Sequence, residues 1–235
     1  MNPRVLFSLV AACLLLAGIY AAAVRGLADA AYYPARRAMT LWAADWTANK
    51  RVPTAAEWDA ARAALERAAA LAPSNPLYVE ELGRLFEQRA VQAFPRAPAA
   101  RALPDEARVL LERSRAQFRH AASMRPGSPY AWSSLALVKF RLGEMDFEFY
   151  GALDRAARFG PWEPAVQLAL ADIGLAGWRW LALPGKLAVL GAIERGMLRQ
   201  GKEIGRLSKL HPDSAAFCAD PLVRARRLSG PCPAV

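Results

Sequence analysis

The side chains that could carry out chemistry are few in this chain of 235 residues, and they do not form a recognisable catalytic set. There are two histidines. His120 lies between Arg119 and Ala121 in a helical pattern, and nothing in the sequence pairs it with a nucleophile. His211 precedes a proline that ends a helix, so we expect its imidazole to interact with the last carbonyl groups of that helix.

Sequence motifs for catalysis and for cofactor binding are absent. The chain has no GxSxG, no HExxH, no Walker loop and no dinucleotide-binding fingerprint. We therefore predict no catalytic residues, no cofactor and no metal site, and we expect that the protein is not an enzyme. One alternative stays open: Trp42, Trp46 and Trp58 could stack on a sugar in an enzyme that acts on glycans, although tryptophans spaced along a helix usually lie in a core or at an interface.

Three cysteines are present. Cys13 lies in an apolar N-terminal run, whereas Cys218 and Cys232 flank a proline-rich tail. There is no CxxC pair and no histidine pair that would complete a zinc site. In an oxidising compartment Cys218 and Cys232 could close a short loop as a disulfide. The alternative, that they are two unrelated thiols, stays open at this point.

The formal net charge is +10, but the basic residues are scattered among acidic ones. The densest basic cluster, Arg224, Arg226 and Arg227, lies near the C-terminus. Nucleic-acid binding would need a basic stripe on one face. We therefore predict no nucleic-acid partner, and attraction to anionic lipid or an acidic polysaccharide is the better explanation of the charge. The sequence does not specify an oligomeric state.

The elements that position these residues are marked by a phrase that occurs three times. The copies are AAALAPSNP at Ala68–Pro76, AASMRPGSP at Ala121–Pro129 and AARFGPWEP at Ala156–Pro164. The first proline of each copy cannot continue a helix, and the second suits the first turn of the next helix. Each copy therefore predicts a joint between two helices.

Two further expectations follow from this phrase. The apolar residue two positions before the first proline (Leu71, Met124 or Phe159) should face the core. The last two copies are 35 residues apart, a period typical of helix-pair repeats. The earlier interval is 53 residues, because a proline-rich segment from Phe94 to Pro104, predicted to be a loop, lengthens it.

The unit from Pro129 to Pro161 resembles a tetratricopeptide repeat. The residues that carry the resemblance are Trp132, Leu135, Ala136, Gly143, Leu153, Ala156 and Pro161. One residue is inserted between the parts of the pattern that belong to the first and the second helix. Weaker units extend the resemblance over about Thr54 to Pro212. It implies an all-α, irregular solenoid of helical hairpins that holds a partner.

In that family the first helix of each pair lines a concave face, which implies a partner-binding surface here. The residues concerned are Leu77, Glu80, Arg84, Glu87, Tyr130, Ser133, Leu137, Phe140, Arg141 and Asp172. Such a mixture of polar and apolar groups suits an extended peptide or a partner's helix. Alternatively, these residues pack against flanking helices of the same chain.

Twenty residues without a charge separate Arg4 from Arg25. This length matches the hydrocarbon thickness of a bilayer, so residues 5–24 predict a single-pass anchor. The alternative is a secretory signal peptide cleaved near Ala28-Asp29-Ala30, although its apolar region is usually only about 7–15 residues long. The apolar stretch 165–198 is interrupted by charges and predicts buried repeat helices, not a second span.

These patterns divide the chain into an anchor and exit (1–30), a repeat domain (31–212) and an irregular tail (213–235). Segment 31–46 either lies at the membrane surface or packs as the first helix of the domain. Thr54 and Glu57 predict a capping box at the start of a helix. The positive-inside rule favours a cytoplasmic domain, whereas the tail cysteines favour a periplasmic one. We expect the periplasmic side of a bacterial inner membrane.

The layout of the whole chain adds a second resemblance. An anchor, then PTAAEWDAARAALERAAALAPSNPLYVEELGRL, then LALVKFRLGEMDFEFYGALDRAARFGPWEPAVQLALADIGLAGW resembles the VpsP-type accessory proteins of bacterial exopolysaccharide gene clusters. This resemblance implies a non-catalytic scaffold that serves polysaccharide biosynthesis or export through envelope protein partners. The alternative is an assembly factor for another envelope machine, such as secretion, pili or cytochrome maturation.

Overall fold

The computed structural model describes residues 2–94, 103–211, 213–226, 228, 231 and 232. Over these residues the regular structure is helical throughout. The helices are α1 Pro3–Asn49, α2 Ala55–Leu71, α3 Pro76–Ala93, α4 Asp105–Met124, α5 Pro129–Leu142, α6 Phe147–Phe159, α7 Pro164–Gly177, α8 Leu183–Leu210, α9 Ser214–Ala219 and α10 Pro221–Ala225. A single 3₁₀ turn, Trp178–Trp180, joins α7 to α8. Most of the loop predicted from Phe94 to Pro104 lies outside the described residues.

Consecutive helices form four antiparallel pairs: α1–α2, α3–α4, α5–α6 and α7–α8. The first helices of the pairs contact one another in the order α1, α3, α5, α7 and form one layer, while α2, α4, α6 and α8 lie behind them. One core of buried apolar side chains runs from Ala28 to Val223. The prediction of an all-α protein made of stacked helical hairpins is therefore confirmed.

The joints between hairpins are the proline turns, defined here as residues 72–75, 125–128 and 160–163. Pro76, Pro129 and Pro164 are the first residues of α3, α5 and α7, as predicted. In each turn the last residue donates its backbone N–H to the carbonyl oxygen of the first, at 3.0, 2.9 and 3.2 Å respectively. The repeated phrase therefore encodes the same turn three times.

The expectation for the apolar residue of the phrase holds for Met124, which is half-buried and packs against a buried cluster, but it is wrong for the other two copies. Leu71 is 39% exposed and Phe159 is 47% exposed, and neither belongs to the core. The alanines three positions earlier, Ala68 and Ala156, are fully buried. Because these small side chains already bring the next helix into contact, the apolar residue that follows lies past the edge of the core.

Helix α1 runs without a break from the apolar segment into the domain. Residues 5–24 are almost entirely exposed, and burial begins at Ala28. Tyr32, Met39 and Trp42 are buried, so segment 31–46 packs as the first helix of the domain. Among the described residues, α1 is the only helix long and apolar enough to cross a membrane. Stretch 165–198 supplies buried residues of α7 and α8 instead.

The C-terminal segment is more ordered than the predicted irregular tail, because it contains α9 and α10. Phe217 packs edge-on against Trp178, with ring centroids 4.9 Å apart. The Trp178 indole N–H donates to Asp220 at 2.8 Å. Cys218 and Cys232 form a disulfide. The segment therefore covers the end of the last hairpin and closes the core there.

Candidate partner-binding groove

The layer of first helices is held in a parallel register by side chains of α3. The Tyr78 hydroxyl donates to the carboxylate of Asp29 at 2.7 Å. Further along α3, the Gln88 amide donates to the backbone carbonyl of Met39 at 3.0 Å. These contacts place the start of α3 level with residues 27–29 of α1, and they fix the faces that the two helices present to the space between them.

A groove of about 510 Å³ lies along α1 and α3 and reaches α5. Its lining residues are Arg36, Met39, Thr40, Ala43, Glu81, Arg84, Glu87, Gln88, Val91 and Arg141. Arg84, Glu87 and Arg141 belong to the predicted concave face. The α1 residues were missed because the tetratricopeptide resemblance began only at Thr54, although the amphipathic pattern of segment 31–46 was the signal that could have identified them.

Acidic and basic side chains extend across the layer of first helices from α3 to α7, and we call them the charged row. Its members are Glu80, Glu81, Arg84, Glu87, Arg141 and Asp172. Arg84 pairs with Glu80 and, at 3.0 Å, with Glu81. Arg141 of α5 then bridges two helices, because it donates to Glu87 of α3 at 2.5 Å and to Asp172 of α7 at 3.5 Å.

Burial and neighbouring groups shift the pKa values of three carboxyl groups in the charged row. Loss of water raises the pKa of Glu87 above its usual range, although Arg141 and Arg84 oppose the shift. Burial likewise raises the pKa of Glu81. Burial also disfavours ionisation of Asp172, but its hydrogen bond to His211 and the charge of Arg141 outweigh that effect and lower its pKa. Asp172 is therefore the firmly ionised end of the row.

The remaining predicted residues fall into two groups. Leu77 is 38% exposed at the start of α3, while Tyr130 and Leu137 are half-buried. Ser133 and Phe140 are interior residues, only 4% and 6% exposed. The Ser133 hydroxyl donates to a backbone carbonyl of its own helix, and Phe140 packs tightly against Gly177 of α7. These two side chains offer no surface to a partner, which corrects their assignment to the concave face.

One end of the charged row is covered by the chain itself. Nε2 of His211, at the end of α8, lies 2.6 Å from Oδ1 of Asp172. Arg179 pairs with Asp213 at 2.8 Å just beyond it. The alternative that the chain covers its own concave-face residues therefore applies at the α7 end. The groove along α1 and α3 is open to solvent.

The other residues considered for chemistry are the candidate metal ligands and the three tryptophans near the start of the domain. No group of three or more His, Cys, Asp or Glu side chains in the described part of the chain is arranged to hold a metal ion. Trp42 is 6% exposed, and the Trp58 ring packs 5.9 Å from that of Phe86. The indole rings of Trp42, Trp46 and Trp58 therefore do not share an exposed face.

Comparison with protein-family models and with curated protein sequences found no match for this chain. The architecture itself defines the class: an all-helical protein of stacked antiparallel helix pairs that follows a long apolar N-terminal helix. The apolar helix and the disulfide together favour a membrane or extracytoplasmic location.

Proposed function

We propose that the protein is a single-pass membrane adaptor without catalytic activity, which holds an envelope protein partner in the groove along α1 and α3. The main observation behind this proposal is that one continuous helix, α1, contains the apolar segment and also forms one wall of the groove. A partner bound there is held at a fixed distance from the membrane, because no flexible linker separates the anchor from the binding surface.

An uncleaved anchor is supported by the residues around the alternative signal-peptide site. Ala28 is fully buried in the domain, and Asp29 accepts a hydrogen bond from Tyr78. Cleavage near Ala28-Asp29-Ala30 would cut α1 inside its packed part and would remove these contacts. The proposal that the domain is periplasmic draws on the Cys218–Cys232 disulfide, because disulfides persist in oxidising compartments.

The groove suits an extended peptide or a partner's helix. Thr40, Ala43 and Val91 supply neutral surface between the ion pairs of Arg84 and Arg141. Since both arginines already have carboxylate partners, the groove favours a partner with a mixed surface over a strongly charged one. A partner in polysaccharide biosynthesis or export is proposed on the layout resemblance to VpsP-type proteins.

The test is recovery of the partner from native membranes with two matched variants. Ala43→Arg places a long charged side chain in the groove, whereas Ala44→Arg alters the neighbouring exposed residue, which does not line it. After solubilisation in detergent, the wild-type chain and Ala44→Arg should recover a polysaccharide polymerase or export protein, and Ala43→Arg should not. Equal recovery by both variants would exclude the groove as the binding site.

The identity of the recovered protein separates the two proposed pathways. Secretion, pilus or cytochrome-maturation components would replace the polysaccharide proposal by the assembly-factor alternative. A cluster of glycosyltransferase genes around this gene is expected if the partner belongs to polysaccharide biosynthesis or export.

A phosphatase fused to the C-terminus should be active, because the domain is proposed to be periplasmic. An inactive phosphatase together with an active cytoplasmic reporter would reverse the topology.

A further inference from the structure

We infer that the domain has a second binding surface, its turn edge, which rests on the anionic lipid headgroups beside the anchor. The turn edge consists of the three proline turns, the helix ends next to them and the bend of α8 at Gln200, whose amide donates to the carbonyl of Pro164. This inference depends on the proposed anchoring through residues 5–24. It concerns how the domain is oriented on the bilayer and not which protein occupies the groove.

The position of the turn edge along the axis of α1 follows from the parallel register of the first helices of the pairs. The contact between Tyr78 and Asp29 places Pro76 level with about Leu27 of α1. Near the start of α5, the Tyr130 hydroxyl donates to Glu163 in the third turn, which places α5 and α7 level with each other. Val79 and Ala131, near the starts of α3 and α5, pack in one cluster.

All three turns therefore lie at the level where the apolar run gives way to Arg25. A helix rises 1.5 Å per residue, so Leu27 is only about 4.5 Å beyond the end of the run at Val24. The polar headgroup region extends about 5–8 Å from the hydrocarbon core on each side of a bilayer. Because α1 is helical throughout this stretch, the turn edge lies within reach of the headgroups.

The exposed side chains of the turn edge are those expected at a bilayer interface. Large apolar groups are exposed here, namely Leu71 (39%), Leu77 (38%), Phe159 (47%), Trp162 (52%) and Leu198 (76%). Tryptophan in particular is enriched at membrane–water interfaces, where its ring is buried among the headgroups and its N–H stays hydrated. This composition also explains why Leu71 and Phe159 are not core residues.

The charges at this edge favour anionic lipid. Arg67, Arg125 and Arg199 are exposed there, and the Arg199 guanidinium lies over the Trp162 ring, 5.8 Å from its centroid. Of the acidic residues nearby, Glu163 accepts from Tyr130 and Asp154 pairs with Arg158, while Glu203, four residues after Arg199, is exposed.

The experiment measures water accessibility at the two ends of the domain in the full chain. Spin labels are attached to Trp162→Cys or, as the control, to Phe147→Cys, both in a Cys13→Ser background. Phe147 is 93% exposed and lies at the far end of its hairpin, so neither substitution disturbs the core. The chain is reconstituted in nanodiscs of phosphatidylethanolamine and phosphatidylglycerol, and collision with a water-soluble nickel complex is recorded.

We expect the label at 162 to be shielded from nickel and the label at 147 to be accessible. Arg125→Glu together with Arg199→Glu should expose the label at 162, because each basic residue near an anionic surface favours binding about fivefold. Equal accessibility at both positions in the reconstituted chain would overturn the inference and leave the adaptor proposal intact. Failure of the chain to insert into nanodiscs would overturn both.

Discussion

At the scale of single residues, the least exposed charged side chain in the described structure is that of Lys139. Its side chain is 2% exposed, and its ammonium donates to Glu144, Asp146 and Glu148 at 3.1, 2.9 and 2.7 Å. Burial alone would lower the pKa of Lys139, but these hydrogen bonds outweigh it and raise the pKa. Arg119 of α4 also holds Glu148, so the cluster joins α4, α5 and α6.

Removal of the buried ammonium should destabilise the domain more than loss of an exposed ion pair. Lys139→Met keeps most of the apolar stem but removes the cation shared by three partly exposed carboxylates, of which Glu144 and Glu148 keep an arginine partner, so we expect a loss of about 2 kcal/mol. The control is Arg158→Met, which removes an exposed pair with Asp154 (side chains 70% and 60% exposed) and should cost about 0.5 kcal/mol or less. Unfolding in denaturant, followed by tryptophan fluorescence, measures both. Equal losses would contradict this account of Lys139.

The same cluster predicts a dependence of stability on pH. The hydrogen bond from Arg119, followed by that from Lys139, lowers the pKa of Glu148 from 4.5 to about 2. A lowered pKa means that the stabilisation is present above pH 4.5 and is lost as the pH falls from there to about 2. Glu148→Gln should therefore weaken the fold at pH 6 and reduce the further loss between pH 4.5 and 2. Parallel acid unfolding curves for wild type and variant would count against this.

Part of the residue-scale arrangement was predictable from the sequence. The repeat register placed Arg84, Glu87, Arg141 and Asp172 on one face, and the structure joins them through ion pairs. Burial within that face was not predictable, because Phe140 is interior only where Gly177, on a different helix, leaves space for its ring. Such a contact depends on the approach of two helices, which no spacing along one chain specifies.

At the scale of elements, sequence patterns within a few neighbouring residues predicted the helix ends best. Thr54 and Glu57 form the predicted capping box, in which each side chain bonds the backbone N–H of the other residue. The bend of α8 at Gln200 was not predicted, because it depends on tertiary contacts. Ile204 packs onto Gly196, where a Cβ atom would lie 2.6 Å from it, and the Gln200 amide donates to the carbonyl of Pro164.

Loss of the capping box should weaken α2 and the first hairpin. Thr54→Ala leaves the Glu57 N–H without its acceptor, which should reduce the unfolding free energy by about 1 kcal/mol. Thr47→Ala is the matched control, because that exposed hydroxyl only bonds the carbonyl of Ala43 within α1. Thermal unfolding followed by near-UV circular dichroism compares the two. A control variant as destabilised as Thr54→Ala would show that the cap contributes nothing specific.

At the scale of the whole molecule, the two ends of the stack of hairpins have different structures. At the N-terminal end, α1 continues out of the core as the apolar helix. At the C-terminal end, α9 and α10 cover Trp178, and Asp220 binds both the Trp178 indole and the Lys186 ammonium at 2.8 and 3.0 Å. The sequence predicted the long apolar helix and left the pairing of the two tail cysteines open, but the docking of the tail depends on this long-range contact with Trp178.

The disulfide that closes this cap should be the largest covalent contribution to stability. Cys218 and Cys232 are 14 residues apart, and a loop of about that length contributes roughly 3 kcal/mol by restricting the unfolded chain. Cys218→Ser should therefore lower the melting temperature, and a reducing agent should lower that of wild type to the same value. Cys13→Ser, which removes the exposed free thiol of α1, should change neither. If Cys218 and Cys232 of protein from intact cells react with maleimide before reduction, the bond does not form there and the domain lies in the cytoplasm.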